Sequence, residues 1–485
     1  MLMNMIKKLK PTCVAVILCV STMFIYWMSY MDINNVEYPL KDGIVNYDPY
    51  VQQFDAFVEG QLYIDYEPDD ELLALDNPYD REERKDIEVL WDRVLYNGKY
   101  YSYFGLTPII TVMFPFYLIT GMLPGALFIQ FVYIGIFSVF FPKLVMMLLD
   151  RYGDKVHWGY KVLLTYVTYL SSFNLLFGRG NRPFYYIACT SAIAFLTLFA
   201  YLFLKGIFAN EHKKRCTYFL AAGLMYAFCI HSRINTAFMG LFFIVPIVIF
   251  RLFLDKQKWK NKLKEIACLG IFAVLGLVLA LSYNYARFGN AFEFGTTYQI
   301  TVADVSQYKL EISEFDEATE YYFESTFIGE GVSGRRELCD DNKENVDRYL
   351  YVSEYFGLFT VPILMFSLMA FIIVFVKGSS KTYKITLIST VVGSFIMAWI
   401  NFCLGGVIYR YLADFSTEVA VCAALGVLFL LQLSYKFENK KLAIVLRLML
   451  TGVMIISVYK VFQIMSVDSI NFIRIRENSF IGSFL

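Results

Sequence analysis

Residues 7–31 read KKLKPTCVAVILCVSTMFIYWMSYM: lysines first, then a run without a single charge up to Met31. A helix needs roughly 20 apolar residues to cross about 30 Å of hydrocarbon, and this stretch supplies them. Its start resembles a secretory signal. The apolar run is too long for one, however, and no small-residue cleavage site follows, so it reads as an uncleaved anchor with a cytoplasmic N-terminus. Further apolar runs lie near 122–149, 160–177, 184–205, 216–231, 234–254, 265–285, 355–376, 383–403, 411–434 and 441–462. With the first run they make about eleven spans.

Composition agrees. Hydrophobic residues form 58% of the 485 and charged residues 18%, against roughly 45–50% and 25% in a soluble domain, which excludes a soluble enzyme. Phe 46 and Tyr 37 exclude intrinsic disorder. Lys+Arg 43 balances Asp+Glu 43, so no global charge points to nucleic acid, and none is expected as a partner. Nearly all cysteines sit inside apolar runs (Cys13, Cys19, Cys189, Cys229, Cys268, Cys422) as small hydrophobes, without disulfide or zinc spacing.

The distribution of charge carries the topology. If the spans alternate, inner loops hold Arg151 and Lys155, then Lys213, Lys214 and Arg215, then Lys256 to Lys264, then Lys377, Lys381 and Lys384, and finally Lys436, Lys440 and Lys441. Every second loop is basic, as the positive-inside rule requires. An odd count places the C-terminus outside. The expected fold is thus an all-α polytopic membrane protein, one integral-membrane domain over 1–485, with about eleven transmembrane helices. Two long extracytoplasmic loops, 32–104 and 286–350, exceed ordinary connections and must form a functional layer or a lid.

In the first loop, YDPYVQQFDAFVEG (47–60) offers Pro49 for a first helical turn and Gly60 for its stop. Asp48, Gln52, Asp55 and Glu59 then fall at i, i+4, i+7 and i+11, on one helical face, with an aromatic side free to lie on the membrane interface. Two readings fit the acids: a solvated face, or a general base or divalent-metal ligand set drawn from Asp48, Asp55 and Glu59. Asn97-Gly98 predicts a hairpin turn between aromatic flanks. The Tyr and Trp residues of 91–103 read better as an interfacial belt than as a sugar platform. From Pro108 to Thr120 the chain is apolar but shorter than a span, which predicts a re-entrant or interfacial helix within 105–121.

An acidic motif after the first span, an aromatic loop and a Pro-initiated short apolar helix ending in Gly121 occur in that order. The arrangement resembles the GT-C superfamily of membrane glycosyltransferases, and NYARFGNAFEFGTTYQ (284–299) and YRYLADF (409–415) look similar to its bacterial members. The resemblance implies transfer of a sugar, with inversion, from a polyprenyl-phosphate donor to an envelope glycan, lipid or protein acceptor at the outer face of the cytoplasmic membrane. It also implies acidic catalytic residues in the first outer loop. One departure is plain: many members carry an adjacent Asp-Glu pair after the first span, whereas Pro49 follows Asp48 here. Asp55, mid-helix, ranks first as base and Asp48 second, with a divalent metal as an optional cofactor.

Outer cations are few: Arg179, Arg182, Arg233, Arg287 and Arg410, all at span ends. A leaving phosphate suits the planar fork of Arg, and Arg410 is the first choice, followed by Arg287 and Arg182. The competing reading pairs Arg410 with Asp414 at i+4. His231, without a second ligand nearby, is assigned no role. Two other functions stay open, a transporter or flippase of lipid-linked sugars and a catalytically inactive envelope accessory protein. The first needs ionisable residues inside its spans, and the sequence shows almost none apart from Arg447 near the inner side.

Overall fold

Long apolar runs become long helices, and the path of the chain is set by them. The computed structural model describes residues 10–28, 36–38, 47–173, 184–254, 257–301, 304–324, 326–327, 334–338, 348–352, 355–377 and 380–467. In chain order the main helices are α1 (Pro11–Met28), α2 (Pro49–Val58), α3 (Phe114–Thr120), α4 (Ala126–Tyr152), α5 (Trp158–Phe173), α6 (Phe184–Phe208) and α7 (His212–Ser232). They continue as α8 (Ile234–Leu254), α9 (Trp259–Phe288), α10 (Phe315–Phe323), α11 (Lys381–Gly405), α12 (Ser416–Ser434) and α13 (Lys440–Val467). The described architecture is that of an all-α membrane protein.

Among the described residues 7 helices are long and apolar enough to cross a bilayer: α4, α6, α8, α9, α11, α12 and most of α13. The other expected spans fall on helices of another kind. The apolar part of α1 is Pro11–Trp27; α5 has 16 residues; α7 opens on the cationic run His212 to Arg215. The run near 355–376 winds as a 3-10 helix over Pro362–Met369 before a single α turn, Ala370–Ile373. At about 2.0 Å per residue, a 3-10 stretch covers more depth with fewer residues than an α-helix.

The apolar windows of α6 and α12 are 78% and 72% buried, against 11% for α9, so α6 and α12 form the centre and α9 the periphery. Ile271, Val274, Leu275 and Val278 on α9 and Leu448, Met449, Ile455 and Ile456 on α13 are exposed, surface that water would penalise and lipid would not. Small residues let α7 and α9 approach: a Cβ on Gly223 would lie 2.2 Å from the Leu269 carbonyl oxygen, and one on Gly276 would lie 2.6 Å from the Ala227 Cβ.

Basic connections meet at one end of the bundle. There the fully buried carboxylate of Glu265 in α9 accepts from Arg251 of α8 (Nε, 2.9 Å), Arg215 (3.3 Å) and His212 of α7 (2.9 Å). Tyr152, ending α4, stacks on Tyr383 of α11 at 4.4 Å and accepts from Gln432 of α12.

The opposite end carries the loop layer. Pro49 stands at the first turn of α2, Asp48 caps it, and Gly60 follows with φ +77°, as the sequence predicts. The expected simple division of α2 into an aromatic and an acidic side does not hold, because Tyr50, Val51, Gln52, Gln53, Phe54 and Ala56 are all buried. Strands β2 (Arg93–Tyr96) and β3 (Lys99–Tyr101) form the expected hairpin, with both Asn97 (φ +50°) and Gly98 (φ +71°) left-handed as a two-residue turn of this kind requires. A strand from the second loop, Gln299–Ile300, pairs antiparallel with β2. The two long loops therefore share one sheet. Strand β1 (Val36–Glu37) pairs with Met122–Leu123, directly after α3, which itself follows a π-helical stretch, Ile109–Met113. Pro115 has no N–H and its ring crowds the carbonyl four residues back, a conflict that wider winding relieves.

Candidate functional site

The segment from Tyr101 to Thr107 leads from the sheet into the bundle. A Cβ on Gly105 would lie 2.1 Å from the His231 carbonyl oxygen, and the Thr107 hydroxyl donates to the Phe228 carbonyl at 2.6 Å. Glycine at 105 is therefore what allows the segment to dock on the end of α7. This docking sets Phe104, with Tyr103 stacked on it, against the start of α6, where Phe104 meets the rings of Phe184 and Tyr185.

Arg410 lies on the 3-10 helix Tyr409–Asp414 that precedes α12. Its guanidinium carbon sits 4.7 Å from the Tyr185 ring centre and 5.3 Å from that of Tyr411. The i+4 pairing with Asp414 does not form. In a 3-10 helix three residues make a turn, so i and i+4 diverge, and Asp414 is taken by Arg233 (2.6 and 2.8 Å), Thr236 (2.6 Å) and Asn401 (3.1 Å). Arg233 lies 5.0 Å from the same Tyr411 ring. Two guanidinium groups thus flank one phenol while the carboxylate of Asp414 serves Arg233 alone, and among the described residues no acid forms an ion pair with Arg410.

Beside Arg410 stands Asp92, which the sequence reading did not single out. Its φ of +57° is left-handed, a conformation that Asp tolerates better than most residues. It accepts from the Tyr185 hydroxyl and from Gln299 Nε2 (3.3 Å), and its N–H donates to the Ile300 carbonyl at 2.8 Å. Asp92 therefore ties the sheet to the ring that lies on Arg410. Arg93, only 2% exposed, is consumed by Gln52 (2.7 Å) and the Tyr47, Trp91 and Asp92 carbonyls; it clamps α2 to the hairpin. The signal in the sequence was the pair Asp92-Arg93 at a strand start, which no periodicity marks.

The expected site residues divide. Asp48 caps α2 through the Tyr50 N–H (2.8 Å). Burial pushes its carboxyl up from the usual carboxylate value, over the Tyr50 and Val51 amides and the Arg93 charge that pull it down. It adjoins the Arg410 cluster through shared neighbours. The Arg93 charge acts on both Asp48 and Tyr103, Tyr50 feels both Asp48 and Tyr103, and Tyr103 in turn feels Asp92 and Arg410. Asp55, two helical turns further along α2, accepts from the Tyr38 hydroxyl (2.8 Å). Tyr38 packs on Tyr117 of α3, so Asp55 faces the interfacial helix. Glu59 is the exposed C-cap. Arg287 spends its terminal nitrogens on the Ser102 carbonyl (2.5 Å) and Asn284 (2.8 Å) and stacks on Tyr283 and Phe288, contacts it does not share with Arg410. Arg179 and Arg182 lie outside the described residues.

Among the described residues no three His, Cys, Asp or Glu side chains converge as a metal site, Asp48, Asp55 and Glu59 included. Comparison with protein-family models and with curated proteins gives no match for this chain.

Proposed function

We propose that the protein is a membrane glycosyltransferase that takes a sugar from a polyprenyl-phosphate donor, and that Arg410 receives the donor phosphate. The observation that carries this reading is a guanidinium between Tyr185 and Tyr411 with no acid among the described residues in an ion pair with it, at the end of the bundle where α2 carries Asp48, a carboxylate raised by burial. A cation already oriented by aromatic faces costs no reorganisation when negative charge develops on a leaving oxygen. The basic end of the bundle is cytoplasmic in this reading, with about eleven spans and the loop layer outside; α1, α5, α7 and the 3-10 segment complete the count.

Asp48 is the base that this geometry favours over Asp55. It takes the proton of an acceptor hydroxyl, the freed oxygen attacks the anomeric carbon, and the bond from that carbon to the phosphate oxygen breaks with its electron pair passing to the phosphate. One displacement inverts the centre. Arg410 meets the released charge. A raised carboxyl is the stronger base near neutral pH, which supports Asp48. Asp92 is a positioning residue that holds Tyr185 against Arg410.

The test is direct. Purified protein is incubated with a panel of polyprenyl-phosphate sugars and candidate envelope acceptors, and released polyprenyl phosphate is measured. Release from at least one donor is expected; a folded preparation that releases none from any donor refutes the reading.

A further inference from the structure

From the basic end, opposite the loop layer, a cavity of about 460 Å³ reaches into the bundle between α4, α6, α8, α11 and α12. Arg151, Tyr152, Ser380 and Tyr383 line its mouth, and its walls are apolar, with Leu144, Leu196, Leu204 and Phe243 among them. Along α11 the lining runs from Thr382 to Thr390 and along α6 from Thr197 to Phe208, which at 1.5 Å per residue gives a depth of about 12–16 Å.

Polar groups collect at the deep end. Glu418 lines the cavity there and is 7% exposed, and among the described residues no Lys, Arg or His forms an ion pair with it. Thr197 and Thr417 near this end, and Thr386 midway along the α11 wall, also line the cavity with buried hydroxyls that have no hydrogen-bond partner. Thus an ionisable side chain does stand inside a span, contrary to the sequence reading, and such a group inside a membrane protein marks a functional site by default.

We infer that this cavity is a binding site for a lipophilic primary ammonium, whose charged end reaches Glu418 and the threonine hydroxyls and whose alkyl body fills the apolar walls. The chemistry selects this class. An alkyl chain alone would leave a carboxyl and three hydroxyls facing hydrocarbon, a costly burial. A hard divalent cation needs six or more oxygens, and the walls here are apolar. An anion at the deep end would face Glu418, and the mouth residue Arg151 already lies over the Phe208 ring at 5.3 Å. A primary ammonium brings three N–H donors, which can meet one carboxylate and two hydroxyls at once. The site owes nothing to the transferase reading and stands or falls separately from it.

Equilibrium binding of radiolabelled n-decylammonium to the full chain in nanodiscs, with empty nanodiscs subtracted, tests the inference. Saturable binding is expected, weakened at least about tenfold by Glu418→Gln, since a charge-assisted hydrogen bond is lost. Thr417→Val should weaken it several-fold, which covers the case in which the Glu418 variant fails to fold. Decyltrimethylammonium, without N–H donors, should compete less well than n-decylammonium, and decanoate should not compete. Absence of saturable binding, binding unchanged in the variant that folds, or competition by decanoate equal to that by the amine would overturn it.

Discussion

Arg233 grips Asp414 with two parallel hydrogen bonds, Nε to Oδ1 at 2.6 Å and Nη2 to Oδ2 at 2.8 Å. The two residues are 181 positions apart in the chain, and Asp414 is fully buried. Removing one partner of such a pair leaves the other uncompensated, at a cost of about 3–5 kcal/mol. Asp414→Ala and Arg233→Ala should each lower the thermal unfolding midpoint of the detergent-solubilised protein sharply. A shift as small as that of a surface substitution, about 0.5 kcal/mol or less, would show the pair to be dispensable.

Because Asp414 is engaged elsewhere, Arg410 should behave in the opposite way. Arg410→Ala should leave stability within about 1 kcal/mol of the parent and lower transfer by about 10²–10³-fold, the scale seen on removing one stabilising donor. Arg410→Lys should restore only part of it, since an ammonium lacks the planar face that stacks on Tyr185 and Tyr411. Steady-state transfer assays beside unfolding curves decide both points.

Asp48→Asn is a clean probe, because Asn caps a helix as well as Asp while losing the base. A drop in transfer of about 10²–10⁴-fold is expected, with stability near that of the parent. Asp55→Asn should cost less than about tenfold. Asp92→Ala should fall between them and be reproduced by Tyr185→Phe, because both remove the hydroxyl contact that Asp92 makes. If Asp55→Asn is the most damaging of the three, the base lies at the Tyr38 end of α2 instead.

Two carboxyls should respond to acid in opposite senses. For Asp304 burial pushes the pKa up, but hydrogen bonds from Ser306 and Asn77 outweigh it and the folded value lies below the ordinary one. Its contribution is present above the unfolded pKa of about 3.9 and is lost as pH falls through the lower folded value. Asp48, raised in the fold, contributes stability below its unfolded pKa that is lost as pH rises through the folded one. Asn77 and Asp304 join the two long loops, so the protection of amides around residues 77 and 304, corrected for intrinsic exchange rates, should fall on acidification below about pH 4. Asp304→Asn should flatten that dependence.

Topology can be read by labelling single cysteines with a membrane-impermeant reagent in intact cells. Asp70→Cys should be labelled and Lys260→Cys protected. The reverse pattern would invert the whole assignment.

Much of the frame was legible because its causes are local. Pro49, Asp48 and Gly60 specify the limits of α2, Asn97 and Gly98 specify a two-residue turn, and Pro108 with Gly121 brackets the short apolar helix. The site was only partly legible, since its partners come from distant elements. No spacing rule joins Arg233 to Asp414, or Tyr185 to Asp92, and the i+4 rule misled at Arg410 because that segment is 3-10. Glu418 escaped notice for a related reason: a carboxyl one turn into a helix reads as a terminal charge until the helix is seen at the centre of the bundle.

The strand Gln299–Ile300 completes a sheet whose first members were made long before it, Asp92 and Gln299 being 207 positions apart. At a synthesis rate of about 5–20 residues per second, the hairpin spends on the order of 10–40 s outside the membrane with β2 as an open edge. During that interval Asp92 has neither Gln299 nor the Ile300 carbonyl to hold it. The sheet is thus completed only after α9 has been made, and a ribosome stalled before residue 299 would leave α1 to α9 with an unfinished loop layer. The order of synthesis itself then keeps Asp92 unanchored on its sheet side until the chain has passed α9.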